Sequence, residues 1–276
     1  MEPTRRIVLN DGHALPSVGF GTWTLTGEDA TRVVHSALEV GYRLVDTAPR
    51  YENEREVGAA LRTSGIARRE LFVATKLRGA DHGYRSTLAA LDRSLDLLGL
   101  EDVDLYLIHW PLPRRKLFVE SWQAMIELRA KGKARSIGVS NFEPEHIQAL
   151  IDATGVVPSV NQVELHPEFS QPVVRTYDAS RGTLTQAWRP LGKGKAVQEP
   201  LLMGIARKHG KTPAQIILRW ELELGVAPIP KTVSVERMRE NLALFDFALD
   251  EDDRARLAFL DRGVRWGGDP NVHEEL

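Results

Sequence analysis

The chain has 276 residues, a length that suits one large α/β domain or two small ones. Hydrophobic residues make up 42% of it, enough for a substantial core, while the formal net charge of −2 gives no indication of binding to nucleic acid or to a membrane surface. Without cysteine, the chain cannot form disulfides, thiolate metal sites or a cysteine nucleophile, which fits a reducing cytoplasm.

The first residues, 1–6, are polar, and no apolar signal region follows them. No apolar run elsewhere approaches the length that spans a membrane. We therefore expect a cytoplasmic protein that binds neither a membrane nor a nucleic acid.

The chain is predicted to begin with a β-hairpin and then to alternate between strands and helices. Asn10, Asp11 and Gly12 supply turn residues between two short apolar runs, which predicts a hairpin over residues 7–16 that would cover one end of the core. Thr26 and Asp29 have the spacing of a helix cap. Core strands are predicted at residues 17–23, 42–45, 71–75, 103–108, 134–139, 158–163, 183–188 and 226–230. Helical patterns follow them at residues 26–38, 53–63, 88–98, 122–128, 144–153, 172–180, 201–209, 213–224, 235–244 and 250–260.

Eight strand–helix units in a chain of this length predict an α/β fold. It is a (β/α)8 TIM barrel with an N-terminal β-hairpin and extra helices, forming a single domain over residues 1–276. The extra helices are the second one after the seventh strand and the one that follows the eighth unit. The glycine patterns of a Rossmann turn and of a P-loop are absent from the sequence, so any nucleotide would have to bind in another way.

Four side chains with useful chemistry stand at or just past the ends of successive predicted strands. Asp46 follows the second strand, and Tyr51 lies in the loop after it. Lys76 ends the third strand, and His109 ends the fourth. Since the carboxyl ends of parallel barrel strands meet on one face, we expect these four side chains to converge. Taken one at a time, each has a structural alternative, as an ion pair, a packed aromatic or a core histidine.

Seven motifs are spread over almost the whole chain. They are Gly19-Phe-Gly-Thr-Trp23, Asp46-Thr-Ala-x-x-Tyr51-x-Asn-Glu54, Ala74-Thr-Lys76, Asp104-Leu-Tyr-Leu-Ile-His109-Trp-Pro111, Ile137-Gly-Val-Ser-Asn-Phe142, Asn161-Gln-Val-Glu-Leu-His-Pro167 and Ile229-Pro-Lys231. Together, and in this order, they resemble the motifs of the aldo-keto reductase family. Within the family, the short segment after His109 and the short tail resemble the bacterial 2,5-diketo-gluconate reductase branch. The resemblance implies a monomer that reduces aldehydes and ketones to alcohols with NADPH, with small aldehydes as the expected substrates.

Reduction of a carbonyl by hydride builds negative charge on its oxygen, so the site must supply a proton there. A phenol has an ordinary pKa of about 10, and a neighbouring ammonium lowers it by stabilising the phenolate. An aspartate can keep a buried lysine charged. These considerations make Tyr51 the general acid, Lys76 its activator and Asp46 the partner of Lys76. His109 would orient the carbonyl oxygen, and the resemblance implies the same four roles.

The resemblance also implies where the cofactor binds. Trp188 is the expected stacking surface for the nicotinamide. Ser140, Asn141 and Gln162 would hold its carboxamide, unless these polar side chains serve only the turns in which they lie.

The phosphates of the cofactor are expected near the eighth strand. Lys231, Thr232 and Ser234 precede a helix N-terminus, which favours anions, and Arg237 can bind a 2′-phosphate. We therefore predict NADPH over NADH, with a solvated basic helix face as the alternative. The complete set of predicted cofactor contacts is Thr22, Ser140, Asn141, Gln162, Trp188, Arg189, Pro190, Leu191, Gly192, Lys231, Thr232, Val233, Ser234, Arg237, Glu240 and Asn241.

Two arginines depart from the pattern of the family. Arg189 stands where a small residue is usual, and it would either contact the pyrophosphate or point to solvent. Arg78 replaces a pocket tryptophan, and we predict that it favours keto acids or keto sugars, unless it is a solvent-facing loop arginine. Trp23 and Trp110 are predicted to wall the substrate pocket. Whether Trp266 in the tail reaches this pocket is left open by the sequence.

Two other functions remain open. The same barrel could be a cofactor-binding regulatory subunit without significant turnover, although short loops and a compact length argue against it. A metal-dependent hydrolase could use Asp46, His109 and His166, but the sequence has no closely spaced ligands such as His-x-His after a strand, so we expect no metal. His273 has no partner at a recognisable spacing and is expected on the surface or in packing.

Overall fold

Within residues 5–275, which the computed structural model describes, eight parallel strands form one sheet and two more form a hairpin ahead of it. The strands are β1 Arg6–Val8, β2 Ala14–Pro16, β3 Gly19–Gly21, β4 Leu44–Asp46, β5 Phe72–Leu77, β6 Val103–Ile108, β7 Ala134–Ser140, β8 Val160–Glu164, β9 Leu184–Trp188 and β10 Ala227–Ile229. The α-helices are α1 Gly27–Val40, α2 Glu54–Thr63, α3 Tyr84–Leu98, α4 Phe118–Ala130, α5 Pro144–Thr154, α6 Pro172–Arg181, α7 Pro200–His209, α8 Pro213–Glu223, α9 Val235–Leu242 and α10 Glu251–Ala258.

The large sheet closes into a barrel, because a backbone hydrogen bond joins the regions of its two end strands, β3 and β10. Each strand from β3 to β10 pairs in parallel with the next strand of the chain. Between the end strands, the Gly21 N–H donates to the Pro230 carbonyl at 3.1 Å. All residues of β5 and of β6 are buried, as expected for parallel strands that are covered on both faces. The predicted (β/α)8 barrel is confirmed.

The hairpin of β1 and β2 covers the N-terminal ends of the barrel strands. Leu9 and Leu15, next to and within the hairpin strands, are buried in one apolar cluster with barrel residues such as Leu44 and Phe72. The Asn10 side chain donates to the Pro158 carbonyl at 3.1 Å. The predicted hairpin is confirmed, and it leaves the opposite, C-terminal face of the barrel open for a site.

The helices fall where the helical spacing of apolar residues predicts them, with small shifts at their ends. One face of α1 is buried, through Ala30, Val33, Val34, Ala37 and Leu38. Thr26 occupies the N-cap position of α1, as predicted, but its side chain makes no capping hydrogen bond. The helices α9 and α10 end at Leu242 and Ala258, earlier than predicted.

The extra helices lie as the sequence predicts. The second helix of the seventh unit, α8, packs against α7, α9 and β10, and α10 packs against α7. No helix in the described part of the chain combines the length and the apolar character needed to cross a membrane.

Candidate active site

At the carboxyl ends of β4 and β5, three side chains form a buried cluster. The Lys76 Nζ donates to Asp46 Oδ1 at 2.6 Å, to the Thr47 carbonyl at 3.0 Å and to Tyr51 Oη at 3.2 Å. The Lys76 side chain is fully buried behind Tyr51, whereas the Tyr51 ring is partly exposed. An ammonium that water cannot reach therefore holds a carboxylate and a phenol together.

The loop that carries Tyr51 is fixed by the buried side chain of Asn53. Its Nδ2 donates to the carbonyls of Thr22 and Leu25, at 2.9 Å each. Its Oδ1 accepts from the Thr47 hydroxyl at 2.7 Å. Because all these groups are buried, Asn53 holds the loop after β4 against the loop after β3. The sequence places Asn53 in a motif but gives no indication of this role.

Burial and charge act in opposite directions on the cluster. Burial raises the pKa of the Tyr51 phenol above its ordinary value, and the Lys76 ammonium opposes this shift without reversing it. Burial also disfavours the Lys76 ammonium, but Asp46 and Tyr51 together outweigh that effect and raise the pKa of Lys76. At neutral pH, a protonated phenol therefore lies beside a charged ammonium. The expected net lowering of the Tyr51 pKa is wrong, because desolvation of the hydroxyl is the larger effect.

His109, at the end of β6, faces the same cluster. Its ring centroid lies 5.9 Å from that of Tyr51. Its Nδ1 lies 2.6 Å from Oε1 of Glu275. The structure thus brings the four strand-end side chains together and adds Glu275. Glu275 was missed because nothing in the sequence shows where the tail returns to the barrel.

A cavity of about 1150 Å³ opens at this face of the barrel. Tyr51, His109, Trp23, Trp110 and Glu275 line one part of it, here called the Tyr51 side. Trp23 packs edge-on against Tyr51, with ring centroids 4.9 Å apart. Two large apolar rings therefore flank the phenol and the imidazole, which leaves room for a small organic molecule between them.

Arg78 is not among the described residues that line this cavity. Its Nε donates to Asp81 Oδ2 at 2.9 Å, and 45% of its side chain is exposed. Asp81 also pairs with Arg93 at 2.8 Å, on the outer surface. The predicted position of Arg78 in the substrate pocket is wrong, because a neighbouring carboxylate holds its guanidinium elsewhere.

Amide groups at the ends of β7 and β8 tie the middle of the cavity to the buried cluster. The Trp188 indole N–H donates to Asn141 Oδ1 at 2.8 Å, and Asn141 Nδ2 donates to the His109 carbonyl at 2.9 Å. Gln162 Nε2 donates to Asp46 Oδ2 at 2.8 Å. All of these side chains line the cavity. The orientation of this polar wall is therefore set by the same strand ends that place Asp46 and His109.

The opposite part of the cavity lies where β10 runs into α9. Lys231, Thr232 and Arg237 line it, and it is called the Lys231 side here. Other predicted cofactor residues in the cavity wall are Thr22, Ser140, Asn141, Gln162, Trp188, Arg189, Pro190, Leu191, Glu240 and Asn241. Gly192, Val233 and Ser234 are outside the described wall. Ser234 Oγ instead accepts the Arg237 backbone N–H at 3.3 Å and caps α9.

Arg189 lies at the cavity wall beside Trp188, and its predicted contact with the pyrophosphate stays a prediction. Its guanidinium lies 5.1 Å from the centroid of the Trp188 ring, and the residue lines the cavity. Sequence reasoning missed several further wall residues, which are Thr24, Arg50, Lys193, Gly194, Val197, Gln198, Thr212, Pro213 and Ala214. Those from 193 to 198 follow Pro190 in a lysine- and glycine-containing loop, a composition that could have indicated them.

The C-terminal segment, residues 265–275, runs across the mouth of the cavity. Glu164, at the end of β8, accepts the backbone N–H groups of Trp266 at 2.8 Å and Gly267 at 2.7 Å. A side chain on Gly267 would come within 2.5 Å of the Trp188 ring, so only glycine allows this approach. The segment is thereby anchored by a buried carboxylate beside the expected stacking surface.

Two aromatic contacts complete the path of this segment. His273, expected on the surface or in packing, stacks on Trp110 with ring centroids 4.1 Å apart and lines the cavity. The Trp266 ring lies outside the described wall, where the Lys195 Nζ is 3.9 Å from its centroid. The tail therefore reaches the cavity through Gly267, His273 and Glu275.

The metal-dependent alternative can be judged from side-chain positions. Within residues 5–275, Asp250, Asp252 and Asp253 are the acidic or histidine side chains close enough together to share one ion. They lie at the start of α10, where Lys208 pairs with Asp253 at 2.9 Å. Asp46, His109 and His166 form no such group in the described chain, so the geometry does not support a hydrolase that uses them.

The fold and the site together define a class of proteins, the α/β barrels whose site lies at the C-terminal face of the barrel. The family model described as the aldo/keto reductase family matches residues 17–262. The chain therefore belongs to the aldo/keto reductase family.

Characterised relatives match over nearly the whole chain. It is 50% identical over 267 residues to an aldo-keto reductase of Mycolicibacterium smegmatis, covering 97% of each chain. It is 45% identical over 271 residues to 2,5-diketo-D-gluconic acid reductase B of Corynebacterium sp., covering 98% of each. It is 44% identical over 267 residues to methylglyoxal reductase DkgA of Salmonella typhimurium, covering 96% of each.

Solved structures are similarly close. The aldo/keto reductase of Brucella melitensis is 46% identical, with a TM-score of 0.92 over 95% of this chain and 99% of that one. A mutant of Gox0644 in complex with NADPH is 44% identical, with a TM-score of 0.94 over 98% of this chain and 99% of that one. Bombyx mori aldo-keto reductase in complex with NADP is 34% identical, with a TM-score of 0.89 over 95% and 94%.

Proposed function

We propose that this protein reduces aldehydes and ketones to the corresponding alcohols with NADPH, with Tyr51 as the general acid. The observation that carries the proposal is the buried contact of Tyr51 Oη with Lys76 Nζ at 3.2 Å, beside His109 and open to the cavity. A phenol that keeps its proton at neutral pH is suited to donate it when negative charge develops on a nearby oxygen.

The geometry supports a division of labour among the four side chains. A carbonyl oxygen between Tyr51 Oη and His109 Nε2 would be oriented by both. When bound, NADPH would supply the hydride to the carbonyl carbon. Tyr51 then gives its proton to the oxygen, and the Lys76 ammonium stabilises the phenolate that remains. Asp46, which accepts from Lys76 at 2.6 Å, keeps that ammonium charged in its buried position.

The residues that line the cavity suit the binding of nicotinamide adenine dinucleotide phosphate. Trp188 offers a partly exposed ring beside the Asn141 and Gln162 amides, which suits stacking of a flat ring that carries a carboxamide. Lys231 and Arg237 offer positive charge near the N-terminus of α9, which suits phosphates. The NADPH and NADP complexes of the Gox0644 mutant and of the Bombyx mori reductase support the same choice.

Small aldehydes are the proposed substrates, because two large aromatic rings, Trp23 and Trp110, wall the Tyr51 side. The relatives' names include both a neutral dicarbonyl, methylglyoxal, and a keto acid. The preference for keto acids that was expected from Arg78 is not part of this proposal, since Asp81 holds that guanidinium away from the cavity. Keto sugars stay within the proposed range. Cytoplasmic localisation and a monomeric state remain predictions.

The test is NADPH consumption by the purified protein with a panel of small aldehydes, with and without a metal chelator. We expect turnover that the chelator does not change. Tight NADPH binding without turnover on any aldehyde would favour the regulatory barrel instead. Turnover abolished by the chelator would contradict the proposed chemistry.

A further inference from the structure

A buried carboxylate lies at the proposed carbonyl site. Oε1 of Glu275 is 2.6 Å from His109 Nδ1, and Oε2 accepts the Gly79 N–H at 3.0 Å. Only 5% of the Glu275 side chain is exposed. A negative group in this position lies directly behind the imidazole that would hold the substrate oxygen.

The Glu275 carboxylate is ionised at neutral pH. Burial opposes its ionisation, but the contact with His109 and the Gly79 N–H more than offset this effect and lower the pKa of the carboxyl below its ordinary value. Its charge also acts on Tyr51, whose phenol it helps to keep protonated. The tail therefore places an ionised carboxylate beside His109.

The position of Glu275 is fixed by the backbone around it. A Cβ on Gly79 would lie 2.0 Å from the Glu275 carbonyl oxygen, so the close approach of the two chains depends on glycine there. Further along the segment, His273 stacks on Trp110, and Glu164 anchors Gly267. Contacts at both ends of the segment thus hold the carboxylate against His109.

The buried cation of the carbonyl site is already matched by an anion, since Lys76 pairs with Asp46 at 2.6 Å. Glu275 is placed to be the anion beside His109. If the imidazole is charged, Glu275 neutralises it, and if the imidazole is neutral, Glu275 leaves a net negative charge. In both cases Glu275 makes the site less favourable for a carboxylate beside the reacting carbonyl.

The other charged or titratable groups nearby include Arg115, a half-buried guanidinium that donates to the Gly79 carbonyl. Tyr51 is protonated at neutral pH, and burial lowers the pKa of both His82 and His273, so these imidazoles are neutral. Arg50 is exposed at the rim of the cavity, where solvent and salt screen its charge. The charge of the buried Glu275 carboxylate is therefore screened by solvent less than the charge of Arg50.

We propose that Glu275 is a specificity-determining residue that makes the site select neutral aldehydes and ketones over 2-oxo acids. This inference rests on the proposed carbonyl reduction. A 2-oxo acid places its carboxylate on the carbon next to the reacting carbonyl, where it would meet the Glu275 charge. A neutral carbonyl compound of the same shape would not.

The test compares pyruvate with methyl pyruvate, which share the 2-oxo group and differ in charge. The quantity measured is the ratio of kcat/KM for pyruvate to that for the ester, in the wild type and in Glu275→Gln. We expect the ratio to rise on the order of tenfold in Glu275→Gln, since the loss of one nearby charge changes binding of an ion by at least that factor. A ratio equal to that of the wild type would overturn the inference.

The matched control is Glu274→Gln, which removes the same charge from the adjacent residue. Glu274 also lines the cavity, but its side chain is exposed and lies 3.7 Å from Arg114 rather than at His109, so solvent screens its charge and we expect the wild-type ratio. A rise as large as that in Glu275→Gln would show a general charge effect and contradict a specific role for Glu275. A uniform loss of activity with both substrates leaves the ratio unchanged, so it would count against the inference as well.

A second measurement needs no variant. For the wild type, the two kcat/KM values are each divided by the rate of reduction by borohydride in solution, which corrects for the greater reactivity of the ester. We expect the corrected values to favour the ester on the order of tenfold, and parity would contradict the inference. Absence of NADPH consumption with every carbonyl compound would instead refute the proposed function itself.

Discussion

On the Tyr51 side of the cavity, charged groups meet in buried pairs, whereas on the Lys231 side the cations are exposed where a strand runs into a helix. Lys76 is fully buried and bonded to Asp46, and Glu275 is buried against His109. Lys231 and Arg237 are both exposed. The difference indicates that the Tyr51 side is organised before any ligand arrives, while the Lys231 side is completed by the charge that it binds.

This contrast has a physical reason. A proton donor works only when its pKa and position are set in advance, which requires burial and fixed partners. A phosphate carries its own charge, so exposed cations at a helix N-terminus are sufficient to bind it. Substitutions on the two sides should therefore fail in different ways, the first in turnover and folding and the second in cofactor affinity.

The largest effect is expected for Lys76→Met. Asp46 would be left as a buried charge without its partner, which costs about 3–5 kcal/mol of unfolding free energy. Turnover should fall by about 10³-fold, because the phenolate loses its stabilising ammonium. Urea denaturation and NADPH consumption measure the two quantities.

The control for this change is Lys131→Met, which removes a lysine that pairs with Glu127 and is 57% exposed. We expect no measurable change in turnover. If Lys76→Met behaved like Lys131→Met, the Tyr51 side would not be the organised region described above.

A smaller effect is expected for Asn53→Ala, which tests whether the Tyr51 loop is held in advance. The change leaves the buried carbonyls of Thr22 and Leu25 without a donor, and unfolding free energy should fall by about 3 kcal/mol. Denaturation in urea gives the value. Asn271→Ala, in an exposed turn, is the control and should match the wild type. An equally stable Asn53→Ala protein would show that the loop does not depend on this side chain.

Arg237→Ala tests the Lys231 side. Loss of the guanidinium should raise the KM for NADPH by about ten- to a hundredfold while leaving the KM for NADH and the stability unchanged. Arg239→Ala removes a charge from the same helix at a position outside the described cavity wall, and it should have no such effect. An equal loss for both cofactors would contradict a role in binding the 2′-phosphate.

The smallest effect is expected for the anchor of the C-terminal segment, in which the Glu164 carboxylate accepts two backbone N–H groups. This segment contacts the Tyr51 side. Burial raises the pKa of Glu164, but His166 and the N–H groups of Trp266 and Gly267 outweigh it, so the pKa lies below the ordinary value of 4.5. A lowered folded-state pKa means that the stabilisation is fully present above pH 4.5 and is lost as the pH falls through the folded value.

Amide hydrogen exchange at Trp266 and Gly267, corrected for its intrinsic pH dependence, measures this anchor. We expect constant protection in the wild type above pH 4.5. Glu164→Gln should lose about 1 kcal/mol of protection at these amides. The ordinary pKa of a glutamate side chain, 4.5, lies below about pH 5, so Glu164 should remain ionised over this range. Protection of the wild-type amides that declined between neutral pH and about pH 5 would therefore contradict anchoring by an ionised Glu164.

The same contrast explains how far the sequence could be interpreted. The barrel, its hairpin and the position of Asp46, Tyr51, Lys76 and His109 could be predicted because the strand pattern alone fixes which residues stand at strand ends. The direction of the Tyr51 pKa could not, since it depends on how much water the folded chain excludes. The place of Arg78 was decided by Asp81, three residues away, which competes for its guanidinium.

Contacts between residues that are far apart in the sequence could not be predicted either. Glu275 and Gly79 are in contact although 196 residues separate them, and no local pattern encodes that meeting. The wall residues from 193 to 198 lie in a loop whose path is set by tertiary contacts such as that of Lys195 with Trp266.

The most direct measurement is the turnover number of Tyr51→Phe with NADPH and a small aldehyde, alongside the affinity for NADPH. The substitution removes one oxygen and keeps the ring that packs on Trp23. We expect turnover to fall by about 10³-fold with unchanged NADPH affinity, since a general acid contributes about that factor. Turnover equal to that of the wild type would contradict the account.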